Sequence, residues 1–264
     1  RRRVSVTLPD PGTLLFRAYW TEHHVTAGEY LEQLFEYLSA LKGVSPSFGV
    51  PLHATEAGEF EPLPSTLDAF SSLMLPRQQK EDTWYRRQDG SKQTAVTANS
   101  YCSTGFYNSI FYADDDWSVE VAVYGGNSER RSVQDWGMKF PAPNSVVVDC
   151  GAREFNNPVL ARRLFLTTIE HWRPTIGWVA GREFRDAVKG EAEAPIGWFT
   201  YLEDGEAASF LPSDVAWERV STGGLLVCLG DENPTVGNAA EVEKSIRIRE
   251  ALQKQGKLNW RQSR

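Results

Sequence analysis

The sequence predicts an α+β protein with a largely antiparallel β-sheet and about three main helices. Short runs of alternating apolar and polar residues follow one another, and the turns between them are too short for the crossovers of a parallel sheet. Single amphipathic helices with capping signals separate these runs. The 264 residues are 41% hydrophobic and 24% charged, which excludes a disordered, collagen-like or coiled-coil chain.

The opening segments predict a hairpin and a long helix. Val4–Leu8 and Leu14–Trp20 alternate like half-buried strands, with a turn rich in proline and glycine between them. Thr26 stands three residues before Glu29, which is the spacing of a capping box. Apolar residues then recur at helical intervals as far as Lys42.

The middle of the chain predicts mainly β-structure. Residues 44–64 contain four prolines and are expected to form a loop with at most one short strand. Ser65–Asp68 predict the start of a brief helix. From Trp84 to Tyr124 the residue types are typical of strands, and Asp114–Asp116 form the expected turn of an antiparallel meander.

The last part of the chain predicts two further helices among short strands. Asn157 is a capping residue followed by a proline at the first helical position, and this helix should end before Pro174. Asn238 begins a closing helix that should end near Gly256. Strands are expected at Val146–Val148, Ile176–Val179, Ile196–Leu202, Trp217–Val220 and Leu225–Leu229.

A single domain over residues 1–264 is the expected organisation. The stretch at 125–145 is rich in glycine, serine, asparagine and proline, which leaves open a division into two lobes there.

The distribution of charge is more informative than its total. The net charge is −7, but residues 244–264 carry +6 and Arg1–Arg3 carry +3, which leaves −16 on residues 4–243. A nucleic-acid binder would show a basic stripe with interleaved aromatic residues, and the body of this chain shows the reverse. Direct nucleic-acid binding is therefore not expected, whereas a basic partner and simple solubility both remain open.

Cysteine usage predicts a reducing compartment. Cys102, Cys150 and Cys228 are odd in number and widely spaced, and each lies in or beside a strand-like segment. Small buried thiols are expected there. No apolar run approaches the 18 residues of a membrane span. We therefore expect a cytoplasmic chain that does not cross a membrane.

The familiar catalytic and metal-binding motifs are missing from the sequence. It has no nucleophile elbow, no phosphate-binding glycine-rich loop, no dinucleotide fingerprint and no His-Glu-x-x-His. Its histidines and cysteines do not follow the spacing of metal ligands. No catalytic residue, metal site or cofactor is predicted.

Acidic clusters that directly follow strand-like segments are the first candidate binding residues. Glu203, Asp204 and Glu206 follow one such segment, and Asp231 and Glu232 follow another. Solvated loop charge, a binding surface and acid/base catalysis all remain open for these clusters. No nucleophile or oxyanion hole can be recognised beside them.

Tryptophans give a second set of candidates, because the chain has nine of them. Trp117 and Trp136 lie beside acidic or polar loops. An exposed aromatic residue flanked by carboxylates is typical of an anchor for a protein partner. Four others lie in periodic segments and are expected in the core: Trp172, Trp178, Trp198 and Trp217.

The carboxy-terminal half, roughly residues 150–260, resembles bacterial immunity protein family 52, whose members are antitoxin partners of polymorphic toxins. The most telling segment is Ile196–Leu202, and its Phe199 stands where a methionine or another aliphatic residue is expected. The resemblance also rests on Trp172–Pro174 with Gly177–Val179, on Gly224–Val227 leading to Asp231 and Glu232, and on the closing helix with Leu252 and Leu258.

The resemblance implies an α+β protein that is not an enzyme. Such a protein binds a cognate toxin in the cytoplasm of the producing cell and blocks the toxin's active site. The family's toxins are typically nucleases of a restriction-endonuclease-like class, commonly delivered by type VI secretion. A nuclease must be basic to hold phosphates, so an acidic inhibitor would meet it with complementary charge.

Charge and expected exposure nominate the residues for toxin binding. The nominated residues are Asp114, Asp115, Asp116, Trp117, Trp136, Glu203, Asp204, Glu206, Asp231 and Glu232.

Two alternative functions remain open. One is an enzyme of unrecognised type, such as a hydrolase that uses loop carboxylates, and the other is a structural or scaffolding module. The oligomeric state also stays open.

Overall fold

The structure is a computed structural model that describes residues 13–21, 25–79, 85–86, 91–102, 104–114, 117–127, 144–189 and 194–258. Its helices are α1 (Ala27–Lys42), α2 (Leu67–Met74), α3 (Pro158–Trp172), α4 (Arg182–Val188) and α5 (Ala239–Lys254). Its first strands are β1 (Leu14–Trp20), β2 (Leu52–Ala54), β3 (Phe60–Pro62), β4 (Tyr85–Arg86), β5 (Lys92–Gln93), β6 (Tyr101–Cys102) and β7 (Thr104–Ala113). The remaining strands are β8 (Ser118–Asn127), β9 (Asn144–Cys150), β10 (Ile176–Gly181), β11 (Phe199–Leu202), β12 (Ala216–Arg219) and β13 (Leu225–Cys228).

The fold class predicted from the sequence is confirmed: the protein is α+β, with large antiparallel sheet structure and several helices. The three long helices, α1, α3 and α5, and the brief helix α2 are those that the sequence predicts, whereas the short helix α4 was not predicted. The strand expected at Val4–Leu8 lies outside the described residues. At residues 52–62, where at most one short strand was expected, two short strands form a hairpin. The Thr55 N–H donates to the Glu59 carbonyl at 2.7 Å and closes its turn.

The chain divides into two compact units. The first consists of residues 1–4, 21–112 and 121–145, and the second of residues 5–20, 113–120 and 146–264. Much of the lobe boundary expected at 125–145 lies outside the described residues. The single domain over 1–264 stays a prediction.

The first unit contains α1, α2 and the strands ordered β8-β7-β2-β3, with a small sheet ordered β5-β4-β6. The predicted capping box is present at the start of α1, where Thr26 Oγ1 accepts the Glu29 N–H and Glu29 accepts the Thr26 N–H. On the buried side of α1, the Tyr30 hydroxyl donates to the Val123 carbonyl at 3.1 Å. The Tyr30 ring also stacks on Phe106, so α1 covers one face of these strands.

The second unit has the strand order β12-β13-β11-β10-β1-β9, with helices on both faces of the strands. On one face, Leu225 and Val227 of β13 share a buried cluster with α4 and α5, including Ile248 and Leu252. The opposite face of β12 meets α3, where Arg162 forms an ion pair with Glu218 at 2.6 Å. The strands are thus enclosed between α3 and the α4–α5 pair.

The two Ile-Gly-Trp segments are explained by close backbone packing. A Cβ added to Gly197 would lie 2.2 Å from the Val179 carbonyl oxygen, and one on Gly177 would lie 2.9 Å from the Arg17 carbonyl oxygen. Real Cβ atoms essentially never approach so closely. Both glycines therefore permit contacts with a neighbouring strand that any side chain would block.

The expected core positions of the tryptophans are confirmed for three of the four. Trp172, Trp178 and Trp198 are buried, but Trp217 is 46% exposed. Trp217 pairs with Val227 across β12 and β13. The prediction for Trp217 was wrong because β12 is the outermost strand of the order, where packing from the helices is incomplete.

Candidate functional site

The acidic cluster after β11 is held in place by the C-terminal segment. Asp204 caps a short 3-10 helix at Gly205–Phe210, because its Oδ1 accepts the Glu206 N–H at 2.9 Å. Its Oδ2 accepts a hydrogen bond from Lys257 Nζ at 2.6 Å. The Lys257 ammonium holds the pKa of Asp204 below its usual value, and the Glu206 N–H acts in the same direction. Glu203 and Glu206 are exposed.

The second acidic cluster, Asp231 and Glu232, follows β13 at an exposed bend. The backbone just before it is fixed by Trp198. The Leu229 N–H donates to the Trp198 carbonyl at 2.9 Å, and Trp198 Nε1 donates to the Gly230 carbonyl at 3.1 Å. A fully buried tryptophan therefore sets the direction in which the chain leaves the sheet.

These two clusters lie at opposite ends of one strand pair. β11 and β13 are antiparallel, with Leu202 opposite Leu225 and Phe199 opposite Cys228. The residues that follow Leu202 and those that follow Cys228 therefore leave the pair at different ends. The carboxylates do not converge into one constellation of the kind that acid/base catalysis needs.

The third nominated group is described only in part. Asp114 is exposed and Trp117 partly exposed, and the Asp114 N–H donates to the Trp117 carbonyl at 3.0 Å, which closes the expected turn between β7 and β8. Asp115, Asp116 and Trp136 lie outside the described residues.

The basic C-terminal segment is engaged within the protein. Arg247 forms an ion pair with Asp214 at 2.5 Å, and Lys257 forms the pair with Asp204. Lys244 donates to the Leu229 carbonyl at 2.9 Å, and Arg249 donates to the Val188 carbonyl. Several cations that the sequence places at this end therefore neutralise or bind groups of the acidic body.

The cysteines have the character of packing residues. Cys102 and Cys150 are buried, Cys228 is partly buried, and none of the three forms a disulfide. Burial raises the pKa of Cys150, and it raises the pKa of Cys228 as well. Across the described ranges, no group of three or more His, Cys, Asp or Glu side chains is placed to hold a metal ion.

Three exposed aromatic side chains were not among the residues nominated from the sequence. Tyr107 is 45% exposed, Trp217 46% and Phe210 37%. The exposure of Tyr107 follows from the alternation of side chains along β7, since its neighbours Phe106 and Asn108 are both buried. For Trp217 the exposure depends on strand order, which the local pattern does not contain.

The fold defines an α+β protein of two units, and comparisons with known proteins show what it is similar to. Residues 138–261 match the family model described as Immunity protein 52. This match confirms the resemblance to the family that Ile196–Leu202 carries, and it concerns the carboxy-terminal part of the chain.

A solved structure gives a second comparison. The Pseudomonas aeruginosa T6SS protein PA0821 is similar with a TM-score of 0.51 and 14% sequence identity, over 91% of this chain and 72% of that chain. At this identity the likeness concerns the fold. No curated protein matches the sequence.

Proposed function

We propose that this chain is an immunity protein that binds a cognate bacterial toxin and neutralises it. The match of residues 138–261 to Immunity protein 52 is the observation that carries the proposal. The matched region includes β10–β13 and α3–α5 of the second unit. Neutralisation by binding needs no catalytic residue of the chain's own, so the protein acts without enzymatic activity.

The toxin we propose is a nuclease of the restriction-endonuclease-like class, delivered by type VI secretion. The usual pairing of the family supports the nuclease, and the description of the similar Pseudomonas aeruginosa structure as a T6SS protein supports the delivery system. The producing cell's cytoplasm is the place where the toxin would be met. No helix within the described ranges is long and apolar enough to cross a membrane.

Charge is the proposed basis of recognition. A nuclease presents cations to its phosphate substrate, and this chain offers a body of charge −16 over residues 4–243. Glu203, Glu206, Asp231 and Glu232 are exposed. The nominated residues are thus proposed to attract the basic toxin and to cover its active site. Asp204 contributes less, because Lys257 already binds it.

Co-expression of the chain with the toxin encoded next to it tests the proposal. Survival of the cells together with a co-purified complex that weakens in salt is the expected result. Failure to protect, with no complex formed, would reject the immunity function for that pair. The enzyme alternative, a hydrolase using loop carboxylates, would then require turnover that is lost in Asp231→Asn. A scaffolding module would instead associate with itself or with secretion components.

A further inference from the structure

In the first unit, the strands turn one set of side chains toward α1 and the other set away from it. Along β7, Phe106, Ile110 and Tyr112 are buried, while Tyr107 is exposed and Phe111 partly exposed. The Phe106 ring stacks on Tyr30 of α1. By alternation, Tyr107 and Phe111 therefore lie on the face that points away from α1.

This outer face is rich in aromatic rings. The rings of Tyr107 and Tyr124 lie 5.7 Å apart, and those of Phe60 and Phe111 lie 5.0 Å apart in an edge-to-face arrangement. Leu52 of β2 stands opposite Phe111. We name Leu52, Phe60, Tyr107, Phe111 and Tyr124 the aromatic face. Tyrosine and phenylalanine are enriched at protein interfaces, where a rigid ring gives contact area at low entropic cost.

The charged side chains in the hairpin beside the aromatic face are all acidic. The turn of the β2–β3 hairpin carries two exposed carboxylates, Glu56 and Glu59, and residues 52–62 contain no lysine or arginine. The nearby Arg77 guanidinium donates to the Ala54 carbonyl at 2.8 Å, so this cation is already engaged. A partner with lysine or arginine side chains would meet the carboxylates and could stack its cations on the tyrosine rings.

We infer that the aromatic face is a docking surface for a basic protein surface, namely that of the toxin. This inference rests on the proposed function and adds a second contact region to the acidic clusters of the second unit. A second copy of this chain is the less suitable occupant, because a two-fold interface would bring the same carboxylates against one another. The aromatic face also lies outside residues 138–261, so it provides a partner-binding surface beyond the region that matches the family model.

Hydroxyl-radical footprinting read by mass spectrometry tests the contact directly. The intact chain is oxidised alone and in complex with a catalytically inactive form of the toxin encoded next to it. Phe106 is the matched control, because it adjoins Tyr107 but is buried against Tyr30, so its oxidation should stay low with or without the toxin. We expect oxidation of Tyr107 to fall several-fold in the complex. Unchanged oxidation of Tyr107 in a complex that demonstrably forms would overturn the inference.

Affinity measurements provide a second test. We expect Tyr107→Ala to raise the Kd for the inactive toxin about tenfold or more, as truncation of an interface anchor does. Glu59→Lys should slow association at low salt, whereas Val50→Ala, at a 59% exposed position of the same unit, should leave binding unchanged. Native circular dichroism of each variant establishes that it is folded.

The two proposals fail in different ways. If the wild-type chain does not bind the toxin at all, the proposed function fails and the docking surface falls with it. If the wild type binds and protects, but Tyr107→Ala and Glu59→Lys bind as tightly and as fast as the wild type, only the aromatic face is rejected.

Discussion

The ammonium of Lys257 lies 2.6 Å from Oδ2 of Asp204, which joins the C-terminal segment to the loop after β11. The same Nζ lies 5.5 Å from the centre of the Phe210 ring. One lysine therefore fixes a carboxylate that would otherwise add to the exposed acidic cluster. The pair also shows how the basic end of the chain and its acidic body stabilise each other.

Lys257→Ala should destabilise the protein slightly, by about 0.5 kcal/mol, because the pair is partly exposed and screened by water. The effect should depend on pH. The pKa of Asp204 is lowered from its usual value of 3.8, so the contribution is present above that value and is lost as the pH falls through the lower folded-state pKa. Urea unfolding at pH 7 and below pH 3 measures the loss of stability and its dependence on pH. Lys254→Ala, at an exposed position, is the control. Equal differences at the two pH values would contradict this account.

Trp198→Phe should lower the free energy of unfolding by about 2 kcal/mol. The side chain is fully buried, and the change leaves a small cavity and removes the donor to the Gly230 carbonyl. Trp217→Phe is the matched control and should change the stability by less than about 0.5 kcal/mol, because Trp217 is half-exposed. Urea unfolding of both variants checks the prediction. Similar losses of stability in the two variants would show that Trp217 at the edge of the sheet is packed as well as Trp198.

Features set by local sequence could be predicted, and features set by strand pairing could not. The starts of α1 and α3 follow from the capping side chains of Thr26 and Asn157, which act within three residues. α4 was not predicted, and its N-cap, Gly181, supplies no side-chain hydrogen bond. The exposure of Trp217 depends on strand order, which the local pattern does not specify.

The candidate site shows the same limit. Exposure of Glu203 and Asp231 was expected from their loop positions and is observed. Their placement at opposite ends of the β11–β13 pair depends on a register between distant segments. The binding of Asp204 by Lys257 joins residues 53 positions apart, and no local pattern contains such a contact.

Gly197→Ala should destabilise the protein by about 2 kcal/mol or more, because the new methyl group would meet the Val179 carbonyl oxygen and the strands would have to separate. Gly237→Ala is the control, since the nearest atom to its added Cβ is 3.8 Å away. Thermal and urea unfolding compare the two. A Gly197→Ala variant as stable as Gly237→Ala would show that close packing does not explain the Ile-Gly-Trp segment.

Thiol labelling should distinguish the cysteines in the native state. Burial raises the pKa of Cys150 and keeps its thiol protonated and inaccessible, so it should not react with a thiol reagent at pH 8. Cys228 is only partly buried and should react first, though slowly, because its pKa is raised too. Mass spectrometry of the labelled peptides gives the order of reaction. Labelling of all three at the unfolded rate would contradict the buried positions.

Charge reversal at the two acidic clusters tests whether both take part in toxin binding. The two clusters are separated by the length of β11 and β13, which as four-residue strands span about 14 Å. An interface of about 800 Å² per partner is wide enough to cover both clusters. Glu203→Lys/Glu206→Lys and Asp231→Lys/Glu232→Lys should therefore each slow association with the toxin severalfold at low salt. The two effects should multiply when combined, because the sites are distant, and they should shrink at high salt. Glu243→Lys, at an exposed position of α5, is the matched control. Association rates unchanged by both reversals would reject electrostatic recognition at these clusters, while loss at one cluster alone would place the toxin at that end of the strand pair.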